Sequence, residues 1–188
     1  MTRAGFLRAL ALAPLTLLAA CGEDDRSRPE RGALVGAAAA GDTAEVRRLI
    51  AAGVDVDERT ANGRTAVTAA ALGDHVDAVR VLIDARADVD LQDAERNDPL
   101  LVCGETGGVA MLREVLRAKP DLTATNRFGG TALIPASDRG HVAMVRALLR
   151  TDIDVDHVND LGWTALLEAV ILGEGGPPHR QIVRTISR

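Results

Sequence analysis

The sequence predicts an all-α solenoid of helix-turn-helix units joined by β-turn or hairpin loops. Two observations carry this prediction. The first is a period of 33: Thr65, Asp98, Thr131 and Thr164 share it, as do Asp55, Asp88, Asp121 and Asp154. Val46, Val79, Leu112 and Val145 keep the same register, and so do Leu49, Leu82, Val115 and Leu148. Independent columns agreeing on one period of this length are the signature of stacked supersecondary units. The second is the helical spacing of apolar residues inside a unit, as in Val145, Leu148 and Leu149.

Each unit repeats one grammar. A glycine turn leads to a Thr-Ala-Leu-like start, as in Gly130-Thr131-Ala132-Leu133, and a short Ala-rich helix follows. A second turn, such as Gly140-His141, opens the second helix, and an Asp-Val-Asp strand turn closes the unit, as at Asp154-Val155-Asp156. The repeat region is expected over 32–188, in about five units. The first unit, from about Gly32, is an N-terminal cap whose outer face should be polar. The second carries Asn62-Gly63-Arg64-Thr65-Ala66-Val67. The third departs most: Arg96 stands where Gly63, Gly129 and Gly162 stand elsewhere, and Asp98 replaces Thr. Asp98 can still cap a helix. A positive φ at Arg96 would cost about 1 kcal/mol or more, so that turn is expected to be remodelled. In the fifth unit the spacing from Gly173 to Val183 is ten, against five from Gly140 to Val145. The insert Glu174-Gly175-Gly176-Pro177-Pro178 is expected to loop out, and the sequence reaches Arg188 part-way through the second helix. That end should fray most.

These motifs resemble the ankyrin repeat. Gly162-Trp163-Thr164-Ala165-Leu166 matches the family's first element, Gly140-His141 through Leu148-Leu149 its middle, and Ala87-Asp88-Val89-Asp90 its end. The resemblance covers about residues 31–188 and implies a curved stack that binds proteins with its turn tips and inner helix face. There are departures. Ala66, Ala132 and Ala165 replace the family's proline, which Pro99 keeps. Thr68, Leu101, Ile134 and Leu167 occupy the column of the first-element histidine, so the hydrogen bonds that side chain makes in the family must be made otherwise here.

Residues 1–20 read as an export signal. Arg3 and Arg8 precede an apolar run from Ala9 to Leu18, too short for a spanning helix, which needs about 20 residues. Leu18-Ala19-Ala20-Cys21 resembles the lipobox of bacterial lipoproteins, which implies cleavage before Cys21 and lipidation of its thiol. Several acyl chains at about 0.8 kcal/mol per buried methylene would anchor the protein stably. The charged segment 21–31 then serves as a tether between membrane and repeats. The expected location is a bacterial membrane surface facing the periplasm or cell exterior, with the lipid as the only membrane contact.

Composition narrows the function. Net charge is −5 and Lys119 is the only lysine, which disfavours nucleic acid, since phosphate neutralisation needs clustered Lys and Arg. Aromatic residues make up 2%, too few for a base-stacking platform. There is no Gly-x-Ser-x-Gly, no phosphate loop ending in Lys and no Cys-x-x-Cys, so neither a catalytic site nor a cofactor is expected. His75 and His141 share one repeat column. The resemblance implies that they support the turn between helices, and neither has an i, i+4 ligand partner for a metal. His157 and His179 are expected to be solvated on loops. Cys103 reads as a buried, inert thiol. The recurring pairs Asp55/Asp57, Asp88/Asp90 and Asp154/Asp156 read as turn structure, because a calcium site wants six or more oxygens in one loop.

The expected function is therefore a non-enzymatic adaptor, monomeric, that holds a protein partner in the bacterial envelope. The alternative is a periplasmic inhibitor or immunity protein whose acidity steers it to a basic toxin or hydrolase. Candidate partner-binding residues on the tips are Arg64, Asn97, Arg127, Phe128, Leu161 and Trp163, joined by Ile171 and Leu172 on the inner helix face. Once the signal is removed, Phe128 and Trp163 are the only aromatic residues, on tips of neighbouring units. Exposed aromatics beside Arg are favoured as hot spots, at about 2 kcal/mol or more each. The competing placement for Trp163 is folded down over the helix base.

Overall fold

The computed structural model describes residues 30–173 and 175–187. Ten α-helices follow one another in pairs: α1 (Ala33–Ala39) and α2 (Thr43–Ala51), α3 (Ala66–Leu72) and α4 (Val76–Asp84), α5 (Pro99–Thr106) and α6 (Val109–Arg117), α7 (Leu133–Asp138) and α8 (Val142–Leu148), α9 (Ala165–Ile171) and α10 (Pro177–Ile186). Each odd-numbered helix packs on the next odd-numbered one, forming an inner row, and the even-numbered helices form an outer row behind it. This is an all-helical repeat solenoid, and no strand forms among the described residues.

The period explains the packing. Val46, Val79, Leu112 and Val145 are all buried in the outer row, and so are Leu49, Leu82, Val115 and Leu148. The inner row is thin. Ala70, Cys103, Ala136 and Ala169 occupy one buried column, where small side chains let neighbouring helices approach. Gly104 marks a close approach: a Cβ there would lie 2.4 Å from the Ala132 carbonyl oxygen of the next unit. Ile182 of α10 is fully buried and closes the last pair.

Polar side chains set the helix starts. Thr65 Oγ1, Asp98 Oδ1 and Thr164 Oγ1 accept from the N–H three residues on, at 3.4, 2.8 and 3.3 Å. Each satisfies one of the donors that a helix N-terminus leaves without a partner. In the second unit Thr68 and Thr65 share a 3.1 Å hydroxyl contact, which takes the place of the absent first-element histidine. The fourth unit breaks the rule. Pro135 has no N–H, so the Thr131 carbonyl takes the Ile134 N–H instead, at 3.0 Å. The Thr131 hydroxyl is then buried without a hydrogen bond, and α7 is a short helix of 6 residues.

Histidines staple successive units. Nε2 of His75 donates to the Ala39 carbonyl at 3.1 Å and that of His141 to Glu105 at 3.0 Å. His179 does the same to Asp138 at 2.7 Å. His179 is therefore half-buried in α10 and not a solvated loop residue. His157 is also engaged, donating to the Gly129 carbonyl at 2.7 Å. The insert in the fifth unit is shorter than the sequence suggests. Pro177 and Pro178 form the first turn of α10, where proline is well tolerated, and α10 is the longest of these helices at 10 residues.

The Asp-Val-Asp segments are turns, not strands. Oδ1 of Asp55, Asp88 and Asp154 accepts from the N–H two residues on, at 3.0, 2.9 and 3.0 Å. The second aspartate reaches the next unit: Asp57 accepts from Asp88 N–H and Asp90 from Asp121 N–H, both at 2.8 Å. The paired carboxylates thus hold turns together, as their repetition suggests. The turn at Arg96 is not remodelled. Arg96 adopts φ 61° in the column of Gly63, Gly129 and Gly162, and its guanidinium donates to Thr125 Oγ1 at 2.8 Å. That bond to the next unit offsets the left-handed strain.

Candidate partner-binding cleft

The turn tips between units are built on one polar residue per repeat. Asn126 Oδ1 accepts from the N–H groups of Phe128 and Gly130, at 2.9 and 3.0 Å. Asn159 Oδ1 accepts from Leu161 and Trp163, both at 3.0 Å. Asp93 does this for Glu95 and Asn97 in the third unit, at 2.9 and 3.0 Å. Such side-chain bonds let a short segment project from the stack without losing its backbone hydrogen bonds.

The fourth and fifth tips are also tied to each other. Asp160 N–H donates to the Phe128 carbonyl at 3.0 Å, and His157 donates to the adjacent Gly129 carbonyl. Gly129 is required here twice over. Its φ is 73°, and a Cβ would lie 2.3 Å from Asp160 Oδ1. Phe128 and Leu161 are therefore exposed on a braced frame rather than on loose loops, at 55% and 66%. Bracing lowers the ordering cost of binding.

Between these tips and the inner helices lies a cleft of about 500 Å³. Phe128, Leu161 and Trp163 line its rim, buried Leu101 and Ile134 contribute apolar floor, and exposed Leu172 stands beside them. Trp163 is half-buried: it stands on the tip and turns toward the cleft, between the two placements open to it from sequence. The Arg127 guanidinium lies 4.9 Å from the Phe128 ring centroid and 3.7 Å from Glu95. This cation–π arrangement orients the ring.

Of the residues singled out from sequence, the cleft gathers Asn97, Arg127, Phe128, Leu161, Trp163 and Leu172. Arg64 lies outside it, with its guanidinium on Asp93 at 3.0 Å. Ile171 is exposed on α9 but does not line the cleft. Cys21 falls outside the described residues. Cys103 is fully buried, and burial pushes its thiol up to about 12, which leaves it protonated and inert at neutral pH.

One residue of the cleft escaped the sequence reading. Glu168 of α9 lines the cleft yet is only 6% exposed. Its Oε1 accepts from Asn159 Nδ2 at 3.0 Å. Burial, and then the nearby Asp138 carboxylate, raise its pKa above the ordinary glutamate value. The signal was present: its repeat column reads Ala69, Val102, Pro135 and Glu168, an ionisable group where the other three are apolar.

A family profile described as "Ankyrin repeats (3 copies)" matches residues 13–93, 34–126 and 100–187. Solved structures agree. An ankyrin repeat domain from Acinetobacter baumannii AYE is 42% identical with a TM-score of 0.80, over 82% of this chain and 79% of that one. The ankyrin repeat protein EF0377 is 37% identical with a TM-score of 0.80, over 85% of this chain and 82% of that one. The comparison with curated proteins finds no match.

Proposed function

The chain belongs to the ankyrin repeat family, whose repeats are generally protein–protein interaction modules, and from that premise we propose that it is a non-enzymatic adaptor holding a protein partner in the cleft beside Phe128 and Trp163. The observation that carries this reading is the convergence of Phe128, Leu161 and Trp163 on one concave surface, two of them on tips braced to each other. Large, rigid side chains around a cleft are the anchors that binding hot spots use. A scaffold role is further supported by the duties of the polar groups: the four histidines donate to backbone carbonyls and the recurrent aspartates hold turns.

The adaptor is lipid-anchored at Cys21 and faces the periplasm or cell exterior. The support for this is the basic, apolar and Leu18-Ala19-Ala20-Cys21 sequence of its first 21 residues. Metabolic labelling with an alkyne fatty acid tests the anchor: wild type incorporates label and Cys21→Ser does not. Crosslinking and pull-down from envelope extracts test the docking function. A partner recovered by wild type should be lost by the Phe128→Ala, Trp163→Ala double variant, and equal recovery by both overturns the assigned surface.

A further inference from the structure

We propose that the segment docking in this cleft is basic, and that it inserts a lysine or arginine side chain which pairs with Glu168. This rests on the docking function proposed above and adds the chemistry of the partner.

Four carboxylates line the cleft: Glu95, Glu105, Asp138 and Glu168. Three already have cations among the described residues. Glu95 is paired with Arg127, and Arg139 serves both Glu105 and Asp138. Glu168 is the most buried of the four, and the one hydrogen bond its carboxylate accepts among the described residues comes from a neutral amide. A buried carboxylate without a cation is costly unless something supplies the missing charge and hydrogen bonds. Two arginines against four carboxylates leave the cleft net negative. Asp138 is close enough to disfavour the Glu168 charge, so a cation placed beside Glu168 would offset that repulsion. The rim suits the same visitor, because the face of Trp163 attracts cations and the methylene stem of Lys or Arg packs on apolar surface. An acidic or purely aliphatic segment would leave Glu168 buried and uncompensated.

Glu168 also steadies Asn159, so a purely structural role is the competing explanation. Glu168→Gln separates the two, because it keeps a carbonyl for Asn159 Nδ2 and removes the charge. The test uses the full chain and acetylated hexapeptide sublibraries with arginine, lysine, norleucine or glutamate fixed at the centre and other positions randomised. Trp163, the only tryptophan, reports binding by fluorescence. The arginine or lysine sublibraries should shift its emission, while norleucine and glutamate should not. Glu168→Gln should weaken the cationic response about tenfold or more, and Glu45→Gln, which removes a paired carboxylate on α2 away from the cleft, about twofold or less. Equal responses to lysine and norleucine in wild type, or undiminished binding by a folded Glu168→Gln, overturn this inference and leave the docking function standing. No response of Trp163 to any sublibrary overturns both. The wild-type comparison decides the matter even if the variant fails to fold.

Discussion

The Arg64 guanidinium reaches from the second tip to Asp93 in the third, with Nε and Nη2 at 3.1 and 3.0 Å from one carboxylate oxygen that is shut off from solvent. The other oxygen of Asp93 organises the third tip. Burial alone would raise this carboxyl, but the N–H bonds of Asn97 and Glu95 and the Arg64 charge outweigh it and hold the pKa below the ordinary aspartate value. Arg64 is therefore a structural clamp. Arg64→Ala should cost about 2–4 kcal/mol in urea denaturation, because it strands a buried charge. Since the folded pKa is depressed, this contribution is present above the ordinary aspartate range and fades as pH falls below it.

Asp98 behaves in the opposite sense. It caps α5 from a buried site, and burial pushes its carboxyl from 3.8 up to about 6. The folded state thus keeps a proton that the unfolded chain has released. Stability should fall as pH rises from 3.8 to about 6, with the full penalty present above that window. Asp98→Asn cannot ionise; it retains an oxygen for the Leu101 N–H and gives up the bond from Gln92 Nε2, which still has the Arg96 and Thr125 carbonyls. It should flatten the decline and raise stability at pH 7.5 by about 1–3 kcal/mol. Urea midpoints measured across the window read both effects.

Pro135 and Thr131 make the fourth unit the place where substitution helps. Pro135→Ala restores an N–H to the Thr131 carbonyl and frees Ile134 N–H for the Thr131 hydroxyl, as in the second and fifth units. The gain should be about 1 kcal/mol, seen as a rise in Tm of about 2–4 °C. Thr131→Ala should cost little in the wild type and about 1 kcal/mol in the Pro135→Ala background, a coupling that isolates the cap.

Much of the stack was legible in the sequence, because one 33-residue period fixes which side chains are buried. What was not legible came from contacts between units. Arg96 keeps its turn because Thr125, 29 positions on, accepts its guanidinium. His179 joins the histidine staples because the insert before it ends in a proline-started helix turn and returns the chain to register. Arg64 looked like a free tip residue until Asp93, from the next repeat, was placed against it. Glu168 was hidden for another reason: attention to what recurs overlooks a residue whose meaning lies in breaking its column.

The central claim is that the partner sits between the fourth and fifth tips. Amide hydrogen exchange on the full chain, free and bound to a partner recovered from envelope extracts, tests it most directly. The prediction is new protection concentrated at residues 126–130 and 159–163, lost together with binding in the Phe128→Ala, Trp163→Ala variant. Protection confined to the outer helices α4, α6 and α8, with both tips exchanging as in the free chain, would contradict it.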